Sequence, residues 1–486
     1  MVVPLETPTT PRMATLEDPI DIGGLTVPNR LYRAPLLECA GNGPDAVDAL
    51  IDDLEPAAAS GVGLICQGAT IVRGDGGCAA PGMTRVHDPE FVSRLSRLTD
   101  RIHEHGSRIF LQLEHGGLRS METWHAEFRR ATPELEQLAV STPPWQLRLL
   151  DRLGFLAFDP HVLSTDEVYE LAADFGRAAA RAVEAGYDGI HLAGANMGIV
   201  QQFLSPFYNR REDEFGGSPE ARLEFLALVH DEIRERAGDV PLLTKVPAET
   251  PAPPVVRRKL SLGDGVELAR RLERIGYDAV VPVQTSVVWD MSIIRGEYPD
   301  RAWENERLQE EYDAAFGGAT RKRLVALANR VQSLQYDFEP AWNEDFCRRV
   351  REQVSIPVLA EGGIRNRAEM DRLLGSAREL DGDGNDNDNG TGATDADPAC
   401  DMVGMARPFY AEPRLGARLL DGATGSDNAT DTNDNSNSNS DSDTASALCK
   451  NCNNCTVPQV TGAPGMCRTP SVLRERGELE REGAYD

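Results

Sequence analysis

Lysine is scarce in this sequence, which holds four lysines among its 50 lysine and arginine residues. Aspartate and glutamate number 78, so the formal net charge is −28 and the pI is near 4.7. Nucleic-acid binding through the general surface is disfavoured, because it requires a basic face. High negative charge that repels itself at low salt is typical of halophilic proteins, and we expect a halophilic source. The alternative is that acidic loops carry the charge on an otherwise ordinary protein.

This charge predicts that the fold is stabilised by salt. The screening length falls from about 8 Å at 0.15 M ionic strength to about 3 Å at 1 M, so repulsion between surface carboxylates weakens over that range. We expect the melting temperature to rise as sodium chloride or potassium chloride is increased between these concentrations. A melting temperature that both salts leave unchanged would refute the halophilic interpretation.

The sequence also lacks a continuous apolar stretch long enough to span a membrane. Its first residues show no basic region followed by an apolar one, as a secretory leader would. Of nine cysteines, five are scattered singly, which is not typical of a disulfide framework (Cys39, Cys66, Cys78, Cys347 and Cys400). We therefore expect a cytoplasmic protein that does not bind membranes.

Short apolar runs alternate with helical patterns along most of the chain. Eight such runs favour a closed parallel (β/α)8 TIM barrel over a doubly wound open sheet. The first predicted strand ends the stretch Ile20–Pro35, and the others are Gly63–Val72, Arg108–Leu113, Gly189–Ala193, Leu242–Val246, Ala279–Val283, Pro357–Ala360 and Asp401–Gly404. At 486 residues, the chain is long enough for one barrel and an appended segment.

Several ranges interrupt or flank the predicted barrel. Residues 286–343, after strand six, mix apolar and charged residues at helical spacing, which predicts an ordered helical insertion on the active-site side. Two runs of Asp, Asn, Ser, Gly and Thr lack the apolar surface that ordering requires, so we expect disorder there. The predicted division is a disordered lead at 1–17, a barrel at 18–420 with an acidic loop at 381–398, an acidic linker at 421–447 and a cysteine-rich segment at 448–486.

A long charged loop follows the fourth predicted strand, on the side where such barrels carry their active sites. It lies in the stretch QFLSPFYNRREDEFGGSPEARLEF, residues 202–225. This stretch resembles the signature of the old yellow enzyme superfamily and departs from that pattern only at Ala221. The resemblance extends, with gaps, from about Asp18 to Arg468. It implies an FMN-dependent oxidoreductase built on a (β/α)8 barrel.

A flavin requires amides and a cation for its phosphate, hydrogen bonds to the ring edge, and apolar contacts. The loops after strands seven and eight, EGGI and GMARPF, offer close backbone approach and a guanidinium group. The resemblance implies an amide contact from Gln112 to the pyrimidine edge and a positive charge from Lys245 beside N1 and O2. The predicted cofactor-binding residues are Pro35, Ala69, Gln112, Lys245, Gly363, Ala406 and Arg407.

The catalytic positions depart from the family pattern. Where the family has a histidine, a second histidine or asparagine, and a proton-donating tyrosine, this chain has Ala193, Asn196 and Gly198. Only the second substrate anchor, Asn196, is kept. His191 lies two positions before Ala193 and so faces the same side of the strand. We therefore predict Asn196 and His191 as catalytic residues, with a packed interior histidine as the alternative for His191.

Four cysteines near the end stand as C-x2-C-x2-C-x11-C: Cys449, Cys452, Cys455 and Cys467. Three close thiolates and a distant fourth suit an iron–sulfur cubane, whereas zinc more often takes two separated pairs. The spacing resembles the [4Fe-4S] site of the branch containing 2,4-dienoyl-CoA reductase and trimethylamine dehydrogenase. In that branch, the cluster passes single electrons to a further nucleotide-binding domain. Because this chain ends at Asp486, we expect another protein or a soluble carrier to be the electron partner.

Together, these features predict an NADH:flavin oxidoreductase-type enzyme with FMN and a [4Fe-4S] cluster. Its partners would be a small-molecule substrate and NAD(P)H or an external electron carrier, with enoate or dienoyl-type reduction as the favoured reaction. One alternative is a non-catalytic or partner-dependent electron-transfer subunit. The other is an amine dehydrogenase-like oxidation, although the tyrosine and histidine of that site are absent at Ala193 and Asn196. The substrate, the choice of NADH or NADPH, the proton donor and any homo-oligomerisation are left open.

Overall fold

The computed structural model describes residues 14–74, 77–78, 80, 82–120, 136–153, 160–290, 292–376, 397–420 and 445–486. The predicted acidic loop and linker, at 381–398 and 421–447, lie outside the described residues except at their last few positions. Of the predicted lead, residues 14–17 are described. Leu16 is fully buried in the main core there, so the packed chain begins before the predicted barrel boundary at residue 18.

Eight parallel strands form the centre of the described fold. A hairpin of β1 (Ile20–Ile22) and β2 (Leu25–Val27) comes first. The barrel strands are β3 (Leu31–Arg33), β4 (Leu64–Ile71), β5 (Arg108–Glu114), β8 (Gly189–Leu192), β9 (Leu242–Ala248), β10 (Ala279–Gln284), β11 (Leu359–Glu361) and β12 (Met402–Met405). Between β5 and β8 lie β6 (Gln137–Ala139) and β7 (Pro160–Val162), which pair as a separate small sheet.

The strands close into a barrel. Their order is β10-β9-β8-β5-β4-β3-β12-β11, and a parallel bridge between Val280 and Val358 joins the two ends. Inward-facing apolar residues of alternate strands fill the interior, and the hairpin residues Ile22 and Val27 cover them at one end. The predicted (β/α)8 barrel is therefore confirmed.

Helices surround the barrel, and several begin at serine capping residues. Ser164 and Ser261 each accept a backbone N–H three residues on, and the side chain at that position returns the bond. The helices outside the insertion span Ala46–Ala59, Pro89–Arg94, Ser96–Glu104, Trp145–Arg152, Thr165–Glu184, Ile199–Leu204, Pro219–Ala237, Leu262–Ile275, Glu344–Arg351, Arg367–Leu373, Arg407–Ala411, Leu415–Leu420 and Pro470–Arg481. Among the described residues, none of the helices has the length and apolarity needed to cross a bilayer.

The signature stretch at 202–225 supports the loop after β8. Phe203 stacks on Phe225 with ring centroids 4.0 Å apart, and both side chains are fully buried. The Asn209 side-chain amide donates to the carbonyl oxygens of Phe203 and Phe215 at 2.7 Å each. These contacts fix a long loop by burial and by satisfied backbone groups. The motif therefore shapes the rim of the barrel without lining its cavity.

The range 286–343, predicted as a helical insertion, contains helices at Asp300–Trp303, Gln309–Phe316 and Ala319–Gln335, with 3-10 turns at Ser292–Ile294 and Glu306–Leu308. Trp303 and Tyr312 pack against Val457 of the cysteine-rich segment in one apolar cluster. The insertion thus connects the carboxyl end of β10 with the C-terminal segment.

Candidate active site at the carboxyl ends of the barrel strands

A cavity of about 440 Å³ lies where the barrel strands end. All seven predicted cofactor-binding residues line it, and so does Asn196: Pro35, Ala69, Gln112, Lys245, Gly363, Ala406 and Arg407. Residues of the insertion, Trp303 and Phe316 among them, line it from the other side. The position agrees with the general rule that such barrels place their sites at the carboxyl ends of the strands.

Lys245, on β9, is paired with a carboxylate. Its Nζ lies 2.6 Å from Glu361 Oε2, and the two side chains are only 9% and 12% exposed. The Tyr32 hydroxyl donates to the other oxygen, Glu361 Oε1, at 2.8 Å. A buried ammonium ion needs such a partner, since its desolvation is otherwise costly. The sequence anticipated the cation but not this partner, which begins the EGGI loop after strand seven.

His191 lies below the cavity rather than on its wall. It is 1% exposed, and its Nδ1 is 2.9 Å from Gln112 Nε2. Burial, and then the charge of Lys245, hold the pKa of His191 well below its usual value, so the imidazole is neutral. This position favours the packed-histidine alternative, in which His191 orients the Gln112 amide. A catalytic role for His191 stays a prediction.

Asn196 stands at the rim in a strained conformation. Its φ is +64° and that of Met197 is +62°, which is uncommon for two consecutive non-glycine residues. Arg119 Nη1 donates to the Asn196 carbonyl oxygen at 3.0 Å, and Gln201 Oε1 accepts the Met197 N–H at 2.6 Å. Such strain persists only where the surroundings determine it, and it often marks a functional position.

Besides Glu361, three charged residues of the cavity wall were missed by sequence reasoning: Glu114, Arg119 and Arg365. Glu114 is 4% exposed, and its Oε1 lies 3.6 Å from Arg119 Nη1. Burial raises the pKa of Glu114, and the nearby charges of Arg119 and Lys245 act in the opposite direction. Strand alternation could have identified Glu114, because it follows Gln112 by two positions on β5 and must face the same side.

The predicted phosphate loops contact both the insertion and the cysteine-rich segment. Gly363 has a φ of +75°, and a Cβ there would come within 2.3 Å of the Glu339 carbonyl oxygen, so only glycine fits. Arg407 Nη1 donates to the Arg295 carbonyl oxygen at 3.0 Å and also to Asn453 Oδ1. The Thr285 hydroxyl, on the cavity wall, is buried and has no hydrogen-bond partner among the described residues. The Gln112 amide, the ion-paired Lys245, the Arg407 guanidinium with donors to spare, the glycine loop and the unsatisfied Thr285 hydroxyl fit the requirements of FMN.

The four terminal cysteines occur as free thiols of intermediate exposure. Burial raises the pKa of Cys455 to about 12, with Arg407 opposing the shift and the thiols of Cys449, Cys452 and Cys467 adding to it. The four sulfur atoms are therefore near one another. In the described part of the chain, however, no group of three or more potential ligand side chains is arranged to hold a metal ion. The donor set fits a cluster in number and chemistry, and the cluster itself stays a prediction.

Hydrogen bonds to backbone groups hold this segment against the rest of the protein. The Glu297 N–H donates to the Asn451 carbonyl oxygen at 3.0 Å, and Asn454 Oδ1 accepts the Ala302 N–H at 3.1 Å. On the barrel side, Arg365 Nη1 donates to the Cys449 carbonyl oxygen at 2.9 Å. The cysteine-rich segment is thus fixed between the insertion and the loop after β11.

This combination of barrel and site is the one expected of a flavin-dependent oxidoreductase, and comparison with known proteins gives the family. The model of the NADH:flavin oxidoreductase / NADH oxidase family matches residues 15–255. The chain is 31% identical to the NADPH dehydrogenase of Geobacillus sp. (strain WCH70) over 281 residues, which cover 56% of this chain and 75% of that protein. The chain therefore belongs to the NADH:flavin oxidoreductase / NADH oxidase family, and the predicted resemblance to the old yellow enzyme superfamily is confirmed.

The chain spans only about half the length of some other relatives. The NADH oxidase of Thermoanaerobacter brockii is 27% identical over 363 residues, which cover 74% of this chain but 46% of that protein. Among solved structures, a 2-naphthoyl-CoA reductase complex aligns with a TM-score of 0.65 at 16% identity, covering 95% of this chain and 58% of that one. Morphinone reductase aligns with a TM-score of 0.54 at 21% identity, covering 84% and 91%. The structural matches show the fold.

Proposed function

We propose that this enzyme binds FMN and transfers a hydride between NAD(P)H and a small organic acceptor, with reduction of an activated carbon–carbon double bond as the favoured reaction. The observation that carries the proposal is the single cavity lined by all seven predicted cofactor-binding residues and by Asn196. Relatives named NADPH dehydrogenase and cinnamate reductase, the latter 30% identical over 283 residues, support this reaction class.

The cavity residues would divide the work of holding FMN. Bound FMN would supply two-electron hydride chemistry through its N5 atom. The Gln112 amide would bind the pyrimidine edge, and the underlying His191 would fix the direction of that amide. Lys245 would place its ammonium beside N1 and O2, held in position by Glu361. The backbone at Gly363 and the remaining donors of Arg407 would bind the phosphate.

The substrate would enter above Asn196. An amide at this rim position donates to a carbonyl oxygen and so stabilises negative charge that develops there. Ala193 leaves this end of the cavity wider than a longer side chain at that position would. The apolar wall formed by Trp303, Phe316 and Val325 excludes water from the reacting centre. A flat, conjugated acceptor with one carbonyl group suits such a site.

We further propose that the four terminal cysteines hold a [4Fe-4S] cluster, which would supply one-electron transfer. Two features support it: the C-x2-C-x2-C-x11-C spacing of the four thiols, and Arg407, which lines the cavity and donates to Asn453 of the cysteine segment. One-electron exchange with an external carrier would then reach the cofactor site through residues in direct contact. Oxidation of amines remains the alternative for the organic substrate.

The test is anaerobic purification in high salt, followed by release of the bound cofactor. We expect near-stoichiometric FMN, because all seven predicted cofactor-binding residues line one cavity. Addition of NADH or NADPH should bleach the visible flavin bands, and a panel of enones, enoyl thioesters and cinnamate-like acids should restore them. Recovery of FAD, or of folded protein without flavin, would refute the proposal. Restoration by none of these acceptors, with bleaching by amines instead, would establish the amine alternative.

A further inference from the structure

The proposed reaction needs a proton donor, and the positions that supply one in the family do not supply one here. Gly198 has no side chain, and His191 lies outside the cavity wall. Glu114 is on that wall, on the strand that also carries Gln112, and its side chain is almost completely buried. This carboxyl group is left unused by the cofactor contacts proposed above.

The carboxyl group of Glu114 lies against Gly198, close to where a side chain at that position would begin. A Cβ atom built on Gly198 would lie 3.3 Å from Glu114 Oε1 and 3.3 Å from the Ala193 carbonyl oxygen. The Gly198 backbone has a φ of −63° and a ψ of 167°, which any residue can adopt. The backbone conformation therefore does not require glycine there, but a side chain at this position would press on the Glu114 carboxyl group, which occupies that side of the site.

We propose that Glu114 donates the proton in the reduction of the carbon–carbon double bond, in place of a side chain at position 198. The inference rests on the proposed function. With NAD(P)H as the hydride source and FMN, if bound, supplying the hydride chemistry, a C–H bond would form at the β carbon as the π bond of the acceptor breaks. The π electron pair moves to the α carbon and forms a second C–H bond with the Glu114 proton. Glu114 is left as a carboxylate, and water returns its proton before the next turnover.

The surroundings of Glu114 suit both the protonated acid and the carboxylate that remains after proton transfer. Burial raises the pKa of the carboxyl group, which keeps the acid form present at higher pH than in an exposed glutamate. The cations that act on it, Arg119 from the following turn and Lys245 from β9, stabilise the carboxylate that remains after proton transfer. Arg119 also fixes Asn196 through the Asn196 carbonyl oxygen, so the proton donor and the substrate anchor share one positioning residue.

The test compares the two half-reactions of Glu114→Gln. We expect stoichiometric FMN and an unchanged rate of flavin reduction by NAD(P)H, because Glu114 makes no proposed contact with the cofactor. Reoxidation by an enone should slow by roughly 10²- to 10⁴-fold, the usual contribution of a general acid. In wild-type protein, reoxidation should slow as pH rises through the raised pKa of Glu114, because the acid form is lost. The variant should lack this dependence.

Further variants separate proton donation from structure. Glu114→Asp should keep the pH dependence at a reduced rate, since the carboxyl group stays but is withdrawn by one methylene. Adding Gly198→Tyr to Glu114→Gln should restore part of the rate and move the dependence toward the tyrosine range, near pH 10. The matched control is Glu249→Gln, which alters another buried carboxyl group, one whose pKa burial raises to about 7, outside the cavity wall. It should reoxidise at the wild-type rate.

A measurement independent of turnover completes the test. Infrared difference spectra between high and low pH should show a protonated carboxyl band that Glu114→Gln removes and Glu249→Gln keeps in part. Reoxidation of Glu114→Gln at the wild-type rate, or with an unchanged pH dependence, would overturn the assignment while leaving the proposed function intact. An equal loss in Glu249→Gln would show that the effect is structural. Wild-type protein that binds no FMN, or is not reduced by NAD(P)H, would instead refute the proposed function.

Discussion

Replacing Lys245 by methionine is expected to lower the free energy of unfolding by about 3–5 kcal/mol, the usual cost of removing one member of a buried ion pair. The change leaves the Glu361 carboxylate, which is 12% exposed, with the Tyr32 hydroxyl as its remaining side-chain hydrogen-bond donor among the described residues. It also removes the charge proposed to lie at the N1 and O2 edge of the flavin. We therefore expect the variant to be isolated without FMN and to melt at a lower temperature.

Urea unfolding of the FMN-free proteins measures the change in the free energy of unfolding. The amount of FMN released on denaturation measures the loss of cofactor binding. The control is Lys245→Met combined with Glu361→Gln, which removes both charges and keeps a partner for Tyr32. Because the cost arises from an uncompensated buried charge, the double variant should recover most of the lost stability but not the FMN. If Lys245→Met unfolds like wild type, the pair is not buried in solution. If it retains FMN, the charge assignment is wrong.

Much of the barrel could be predicted from the sequence, because parallel strands that are buried on both faces appear in it as short apolar runs. Each of the eight predicted strands overlaps an observed one, although strand seven begins at Leu359 instead of Pro357. The small sheet of β6 and β7 was not predicted. Its strands have three residues each, QLA and PHV, which is too short for an alternating pattern to be recognised. Their pairing depends on the fold around them.

The candidate active site shows a different limit of prediction from the sequence. Motifs predicted the residues that meet in the cavity, but the Lys245–Glu361 pair joins positions 116 apart in the chain, and no local pattern connects them. His191 illustrates the same limit within one strand. Alternation correctly predicts that it faces inward with Ala193, yet it does not say which layer of the barrel interior each residue fills. Ala193 reaches the cavity, whereas His191 lies one inward-facing position earlier on β8, in register with Gln112 of β5.

Replacing Cys452 by serine is expected to abolish the binding of iron and sulfide while FMN stays bound. Cys452 belongs to the compact trio of thiols, and a hydroxyl group is a poor substitute for a thiolate ligand. The flavin contacts come from other elements, so the cavity keeps its cofactor. Wild-type protein purified anaerobically should contain iron and sulfide at a ratio near that of one cubane. The variant should still accept hydride from NAD(P)H but fail to reduce a one-electron acceptor.

Two control variants separate the thiol from its surroundings. Cys400→Ser changes a buried thiol outside the segment, which lies 3.7 Å from the Leu373 carbonyl oxygen, and should keep iron, sulfide and electron transfer. Asn453→Ala keeps all four thiols but removes the contact with Arg407, so it should retain iron while weakening FMN binding. Zinc in place of iron in the wild-type protein would refute the electron relay. If Cys452→Ser loses FMN as well as iron, the Arg407–Asn453 contact depends on the metal. The cysteine-rich segment would then support the phosphate loop through Arg407.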